Sequence, residues 1–109
     1  MFIFYRGYML SKEVIQKEIL HALENVNEER GLDEKIVVSL DTILFGVDAA
    51  LDSLALVSVI VDVEMAISEL AGHPISLTDD RAMAQKISPF SSGNALAAYI
   101  SELLANNAT

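Results

Sequence analysis

The 109-residue sequence contains no cysteine. This absence excludes disulfides, thiolate metal sites and a cysteine nucleophile, so any thiol chemistry would have to come from an attached group. The sequence also lacks an apolar run of the roughly 20 residues that a membrane-spanning helix needs, and we find no internal repeat or low-complexity linker. Its length fits one domain, for which we predict no membrane insertion.

Basic residues are scarce: 7 Lys and Arg stand against 16 Asp and Glu, which gives a net charge of −9. Such a surface repels nucleic acid phosphates and anionic lipid headgroups, so we expect neither as a partner. Charged partners should instead offer Lys and Arg patches. Because 52% of the residues are hydrophobic, the chain should fold rather than remain a disordered acidic tail. We expect a cytoplasmic monomer.

The two ends of the chain lie outside the predicted domain, which covers residues 10–105. Residues 1–9 are largely apolar and aromatic, but they are too short for a secretory signal and lack a basic start. We interpret them as an N-terminal extension or a misassigned start; alternatively, this aromatic segment docks on a groove of this domain or of a neighbouring one, which would leave dimerisation open. Residues 106–109 are predicted to be a frayed tail.

The first helix is predicted over Lys12–Asn27, with Ser11 as its N-cap. Gly31 follows shortly after this segment and is a natural stop. Apolar residues at spacings of three and four predict one buried stripe. The stripe consists of Ile15, Ile19, Ala22, Leu23 and Val26.

A second helix is predicted from Ser53 to about Leu70. Its β-branched residues between Val57 and Glu64 also alternate as in a strand, but the apolar periodicity continues far beyond a usual strand length. The predicted core positions are Leu56, Ile60, Val63, Ile67 and Leu70. The predicted opposite face carries Ala55, Ser58, Asp62, Met65 and Glu69.

A long connection, from about Glu28 to Asp52, joins these two helices. Its centre is too apolar to stay in water, so we expect Leu44 or Phe45 to fill the core.

Two further helices complete the prediction. Thr78 should cap a short third helix, with Asp79 and Asp80 in its first turn, and this helix should stop before Pro89. Ser91 or Ser92 should open the last helix, whose apolar face contains Leu96, Tyr99, Ile100, Leu103 and Leu104. The sequence thus predicts an all-α fold, an antiparallel four-helix bundle with three main helices, a short third helix and a long first loop.

The segment that carries chemistry is Asp52-Ser53-Leu54, at the predicted start of the second helix. There, free backbone N–H groups and the positive end of the helix dipole converge, and a phosphodiester built on the Ser53 hydroxyl would find an anion site. Alternatively, Asp-Ser before an apolar run is simply a good helix start.

In this segment the sequence resembles the acyl carrier protein family, whose members carry Asp-Ser-Leu at the start of the second helix of a small acidic four-helix bundle. The loop residues 40–45 look like the family's stretch upstream of this motif, and residues 91–100 look like the start of its last helix. The resemblance spans about residues 10–104.

The resemblance implies a carrier with no catalytic residue and no metal site. Ser53 would accept 4′-phosphopantetheine from coenzyme A, catalysed by a phosphopantetheinyl transferase; Asp52 would help that enzyme and its magnesium ion approach, and Leu54 would pack beside the arm. The arm's thiol would hold an acyl group as a thioester. Acyl-loading and acyl-transfer enzymes would dock on the predicted partner-binding residues Ala55, Ser58, Asp62, Met65 and Glu69.

Several positions depart from the family pattern. Ala50 stands where the family usually has glycine, and Ala55 and Ser58 stand where fatty acid synthesis carriers usually have carboxylates. These departures favour a specialised partner set, and they keep open an unmodified, carrier-like interaction module. A hydrolase using Ser53 with His21 as base is a third alternative.

Overall fold

The computed structural model describes residues 10–107. They form four α-helices and one short 3₁₀ helix, with no strand among these residues. The chain is therefore all-helical over the described range, and the helical interpretation of residues 57–64 is confirmed. The α-helices are α1 (Lys12–Glu28), α2 (Ser53–Ala71), α3 (Asp80–Met83) and α4 (Gly93–Asn107), and the 3₁₀ helix is Leu32–Glu34.

The first helix begins as predicted. The Ser11 hydroxyl accepts a hydrogen bond from the Val14 N–H at 3.3 Å, and every residue of the predicted stripe is buried. Gly31, however, does not cap the helix, because its φ of −67° lies in ordinary extended space. The Lys35 ammonium instead donates to the carbonyls of Asn27, at 2.6 Å, and Arg30, at 3.4 Å, which supplies partners at the end of the helix.

The long first loop is attached at its beginning to the end of α1. The Asn27 side chain accepts a hydrogen bond from the Ile36 N–H at 2.8 Å and donates one to the Ile36 carbonyl at 2.9 Å. Further along, the Thr42 hydroxyl donates to the Val37 carbonyl at 2.7 Å. These bonds satisfy backbone groups that a structureless loop would leave to water.

The same loop is attached to the start of α4. The N–H groups of Gly93 and Asn94 donate to the carbonyls of Thr42, at 3.2 Å, and Leu40, at 2.8 Å. Asn94 also donates its side-chain amide to the Asp41 carboxylate at 2.8 Å. The approach is close, because a Cβ on Gly93 would lie 3.0 Å from both Cα and O of Leu40. We call these contacts the loop–α4 clamp.

Of the two side chains predicted to fill the core, Leu44 does so with 1% exposure, whereas Phe45 is 59% exposed. The following turn places Gly46 and Asp48 at positive φ, 106° and 65°. It is closed by a hydrogen bond of 2.8 Å from the Ala50 N–H to the Ile43 carbonyl. After this turn the chain passes through the buried Leu51 and the N-cap Asp52 into α2.

The second helix buries a slightly different set of residues than predicted. Leu70 is 38% exposed, so its assignment to the core was wrong, and Leu56 is only partly buried. Val59, which was not predicted, is completely buried beside Ile60. The helix ends at Ala71 and is capped by Gly72, which has a φ of 82°. In this last turn Ala71 packs against the core, whereas its neighbour Leu70 is exposed.

The predicted cap of the third helix was also wrong. Asp79, not Thr78, caps α3: its carboxylate accepts hydrogen bonds from the N–H groups of Arg81 and Ala82 at 3.1 and 3.3 Å. A carboxylate interacts more strongly than a hydroxyl with the positive end of a helix. The helix ends at Met83, before Pro89 as predicted.

The last helix begins after Ser92, whose hydroxyl accepts the Ala95 N–H at 3.1 Å. All five predicted apolar residues of its face are buried. The helix continues to Asn107, and residues 108 and 109 of the predicted tail lie outside the described residues, as does the predicted extension of residues 1–9.

Helix α1 packs against both α2 and α4, and the three long helices enclose the core together with Leu44 and Leu77. No helix within residues 10–107 combines the length and the apolar character needed to cross a membrane.

Candidate functional site

The predicted attachment residue lies at the surface, at the first position of α2. Ser53 is exposed, and Asp52 before it is the N-cap, with extended backbone geometry. The Asp52 Oδ1 atom accepts a hydrogen bond from the Ala55 N–H at 2.8 Å. Leu54, the third residue of the motif, is 81% exposed. The local geometry therefore leaves the Ser53 side chain accessible to a second protein.

Two backbone donors accompany this serine. The N–H groups of Ser53 and Leu54 have no hydrogen-bond acceptor among the described residues, whereas that of Ala55 is bonded to Asp52. Free N–H groups and the helix dipole together favour an anion at such a position. A phosphate ester on Ser53 would therefore be electrostatically compatible with the start of α2.

Arg30 is a site residue that the sequence did not reveal. Its Nη2 atom lies 3.9 Å from Oδ2 of Asp52, and its Nη1 atom donates to the Glu34 carbonyl at 3.2 Å. The Arg30 side chain is 22% exposed and that of Asp52 is 72% exposed. The two residues meet only because the first loop brings the end of α1 to the start of α2, and no local sequence pattern reports that.

A groove of about 520 Å³ lies between the end of α1 and the start of α2. We call it the α1–α2 groove. Its lining residues are Asn25, Val26, Glu29, Arg30, Asp52, Leu54, Ala55, Ser58 and Asp62. Ser53 is not among them, so the predicted attachment residue lies beside this groove rather than within it.

The structure divides the predicted partner-binding residues between two places. Ala55, Ser58 and Asp62 line the α1–α2 groove. Met65 and Glu69 line a more open depression near the end of α2, which also includes His73 and Pro74. All except the half-buried Ala55 are exposed. The predicted face is therefore accessible over most of its length, but it is not one continuous groove.

An exposed apolar stripe also runs along α2. Leu54, Val57, Val61 and Met65 follow one another at spacings of three and four residues, with exposures of 81%, 55%, 44% and 66%. The helical wheel places them on one side of the helix. An apolar surface of this kind on a small domain is typical of a protein-binding site.

Other reactive groups lie apart from this site. His21 is exposed on α1 and makes no hydrogen bond with Ser53. Within residues 10–107, no group of three or more His, Asp and Glu side chains is placed to hold a metal ion. On α4, burial raises the pKa of the Tyr99 hydroxyl, and Asp79 acts in the same direction.

Comparison with known proteins finds no matching family model, no matching curated protein and no matching solved structure. The resemblance to acyl carrier proteins therefore rests on the residues of this chain.

Proposed function

We propose that this chain is an acyl carrier protein, which holds an acyl group as a thioester on a 4′-phosphopantetheine arm attached to Ser53. It would serve a fatty acid, lipid or secondary-metabolite pathway in the cytoplasm and would catalyse no reaction itself. The observation that carries the proposal is the placement of Ser53. It is an exposed serine at the first position of a long helix in an all-helical domain, directly after a capping aspartate.

The residues around Ser53 fit the proposed cofactor. The Ser53 hydroxyl oxygen would become the ester oxygen of the phosphodiester. The N–H groups of Ser53 and Leu54, which have no acceptor within residues 10–107, would face its negative charge. When bound, the arm supplies the thiol that this cysteine-free chain lacks. Because Asp52 is largely exposed although it caps α2, one of its oxygens remains accessible to a modifying enzyme and its magnesium ion.

The surface of α2 is suited to a protein that binds several enzymes in turn. Its exposed apolar stripe gives a partner a surface to bury, and the neighbouring carboxylates of Asp62 and Glu69 favour partners with Lys and Arg. Partners that recognise mainly apolar side chains here would differ from those of a more acidic carrier. This supports a specialised set of acyl-loading and acyl-transfer enzymes.

The test is an intact mass measurement before and after incubation with coenzyme A, magnesium and a broad-specificity phosphopantetheinyl transferase. We expect the mass to increase by one phosphopantetheine, and we expect no increase for Ser53→Ala. Circular dichroism of both proteins serves as the folding control, since exchanging this exposed hydroxyl for hydrogen should leave the helices intact.

A second candidate is an unmodified interaction module with the same shape. The exposed stripe from Leu54 to Met65 favours it, because a binding surface of this kind needs no cofactor. Absence of any mass increase with several transferases, on a folded protein, would support this module and contradict the carrier.

A further inference from the structure

The chain enters α1 close to the far end of α2. Helix α1 packs against α2, and its last turns share the α1–α2 groove with the first turns of α2, so the two helices run in opposite directions. From Asn25 back to Lys12, α1 covers about 20 Å, and from Asp62 to Ala71, α2 covers about 14 Å. The start of α1 therefore lies level with the residues that follow α2. Leu10 and Ile75 accordingly belong to the same buried cluster.

The surface at this end of α2 is the open depression of about 580 Å³. Met65, which is 66% exposed, and Pro74 give it apolar surface. The Glu64 carboxylate is occupied, because it accepts a hydrogen bond from the Leu77 N–H at 2.6 Å. The Glu69 carboxylate is exposed and forms no ion pair with a residue of the described range. Polar side chains line the depression together with the apolar ones, and they are Glu64, Ser68, Glu69 and His73.

The segment that precedes Leu10 has a composition that complements this depression. Residues 1–9 contain four of the seven aromatic residues of the sequence (4 Phe and 3 Tyr) and no acidic residue. Arg6 is their only charged side chain. Aromatic side chains gain most from leaving water, and one cation matches a site with one unpaired carboxylate.

The spacing of the segment also matches that of the depression. Met65 and Glu69 are one turn apart on α2, which separates them by about 6 Å along the helix. In an extended segment, Phe4 and Arg6 would point to the same side, about 7 Å apart. Arg6 lies within roughly 14 Å of Leu10 along such a segment and Phe4 within roughly 21 Å, which is enough to reach the last two turns of α2.

We propose that residues 2–8 lie along the depression at the end of α2, with the Arg6 guanidinium paired with the Glu69 carboxylate and the Phe4 ring packed on Met65. The segment then covers the far part of the predicted partner face and leaves the first turns of α2, beside Ser53, open. A partner that uses Met65 or Glu69 has to displace it. The inference does not depend on an arm at Ser53.

The first test measures how fast trypsin cleaves the bond between Arg6 and Gly7 in the full chain, followed by intact mass. The docked segment should be protected. Glu69→Gln should raise the cleavage rate roughly threefold, the size of one exposed ion pair, and high salt should remove the difference between the two proteins. Met65→Ser should also raise the rate, because it removes the apolar contact without changing a charge.

Asp62→Asn is the matched control, because it removes the same charge from an exposed position of α2 that lies outside the depression. It should leave the cleavage rate unchanged. An unchanged rate for Glu69→Gln would overturn the inference, and so would an equal increase for Asp62→Asn. Protection that weakens on dilution would place the segment on a second copy of the chain and would also overturn it.

A second measurement detects the aromatic contact directly, by nuclear magnetic resonance of isotope-labelled methionine methyl groups. The Met65 methyl group should show a nuclear Overhauser effect to the ring protons of Phe4, and Phe4→Leu should shift its resonance. Met83, which is 73% exposed and lies outside the depression, is the internal control and should not shift. Absence of the Met65 contact, or equal shifts of both methyl groups, would contradict the proposed docking.

Ser53→Ala separates this inference from the proposed function. It cannot accept an arm, yet it should show the same protection of Arg6 and the same Met65 contact as the unchanged protein. A chain that no transferase modifies but that shows both effects would refute the carrier function and leave the docking of residues 2–8 standing. Loss of both effects in Ser53→Ala, with the helix content retained, would overturn the docking.

Discussion

At the scale of single residues, Tyr99 combines deep burial with an unsatisfied hydroxyl. The side chain is 6% exposed, and its hydroxyl has no hydrogen-bond partner among the described residues. An unpaired buried polar group lowers the free energy of unfolding, and removing that group raises it again. Tyr99→Phe should therefore raise the free energy of unfolding at pH 7 by about 1 kcal/mol, as measured by urea denaturation.

The same hydroxyl makes a pH-dependent contribution. Burial, followed by Asp79, raises the pKa of Tyr99 above the ordinary value of 10.0, so the unfolded chain loses this proton first as the pH rises. Below about pH 10 this titration leaves the free energy of unfolding unchanged, and the free energy of unfolding then falls as the pH rises through the folded-state pKa. Tyr99→Phe should lack this alkaline loss. A variant that is less stable than the unchanged protein both at pH 7 and above about pH 10 would contradict this account of the Tyr99 hydroxyl.

Leu44 and Phe45 are neighbours in the first loop that differ in burial. Leu44→Ala should lower the free energy of unfolding by about 3 kcal/mol, because it empties a core position that is 1% exposed. Phe45→Ala, at 59% exposure, should change it by no more than about 0.5 kcal/mol. Chemical denaturation of both variants checks the pair, and equal losses would show that Phe45 also packs in the core.

At the scale of elements, the loop–α4 clamp holds the first loop against the last helix. Gly93→Ala should destabilise the protein by roughly 2 kcal/mol, because the new methyl group would press on the Leu40 backbone. Gly31→Ala is the matched control: its Cβ would meet nothing within 4 Å, and its φ is ordinary. It should be neutral or slightly stabilising.

Thermal unfolding of the two glycine variants provides the measurement. The midpoint should fall for Gly93→Ala and stay level or rise for Gly31→Ala. If the midpoint fell equally in both variants, the close approach of the Leu40 backbone would not be the reason that position 93 requires glycine.

At the scale of the whole molecule, the sequence predicted features that depend on neighbours along the chain. The stripe of α1, the cap at Ser11 and the start of α2 at Ser53 follow from periodicity and capping chemistry. The buried Val59 and the exposed Leu70 could not be separated in this way, because both suit an apolar helix face. Only the position of the packed neighbours decides between them.

The candidate site likewise combines residues that the local sequence indicated with residues that only the fold brings there. Asp52 and Ser53 were visible as a helix start, whereas Arg30 and Glu29 join the site through the fold of the first loop. Likewise, Thr78 and Asp79 are both good capping residues, and Asp79 is the one that caps α3. Just before them, the Leu77 N–H donates to the Glu64 carboxylate at 2.6 Å, a contact with α2 that the local sequence does not indicate. Contacts between distant segments account for what the sequence did not reveal.

The loop–α4 clamp also bears on the order in which the protein matures. Asn94 holds a loop residue that precedes it by 53 positions, so this contact cannot form on the ribosome until the last helix has left the exit tunnel. The loop leads directly into α2, so the segment that precedes Ser53 gains this support only after α4 has been made. A chain made only as far as α2 would contain Ser53 but would lack the contacts between the first loop and α4.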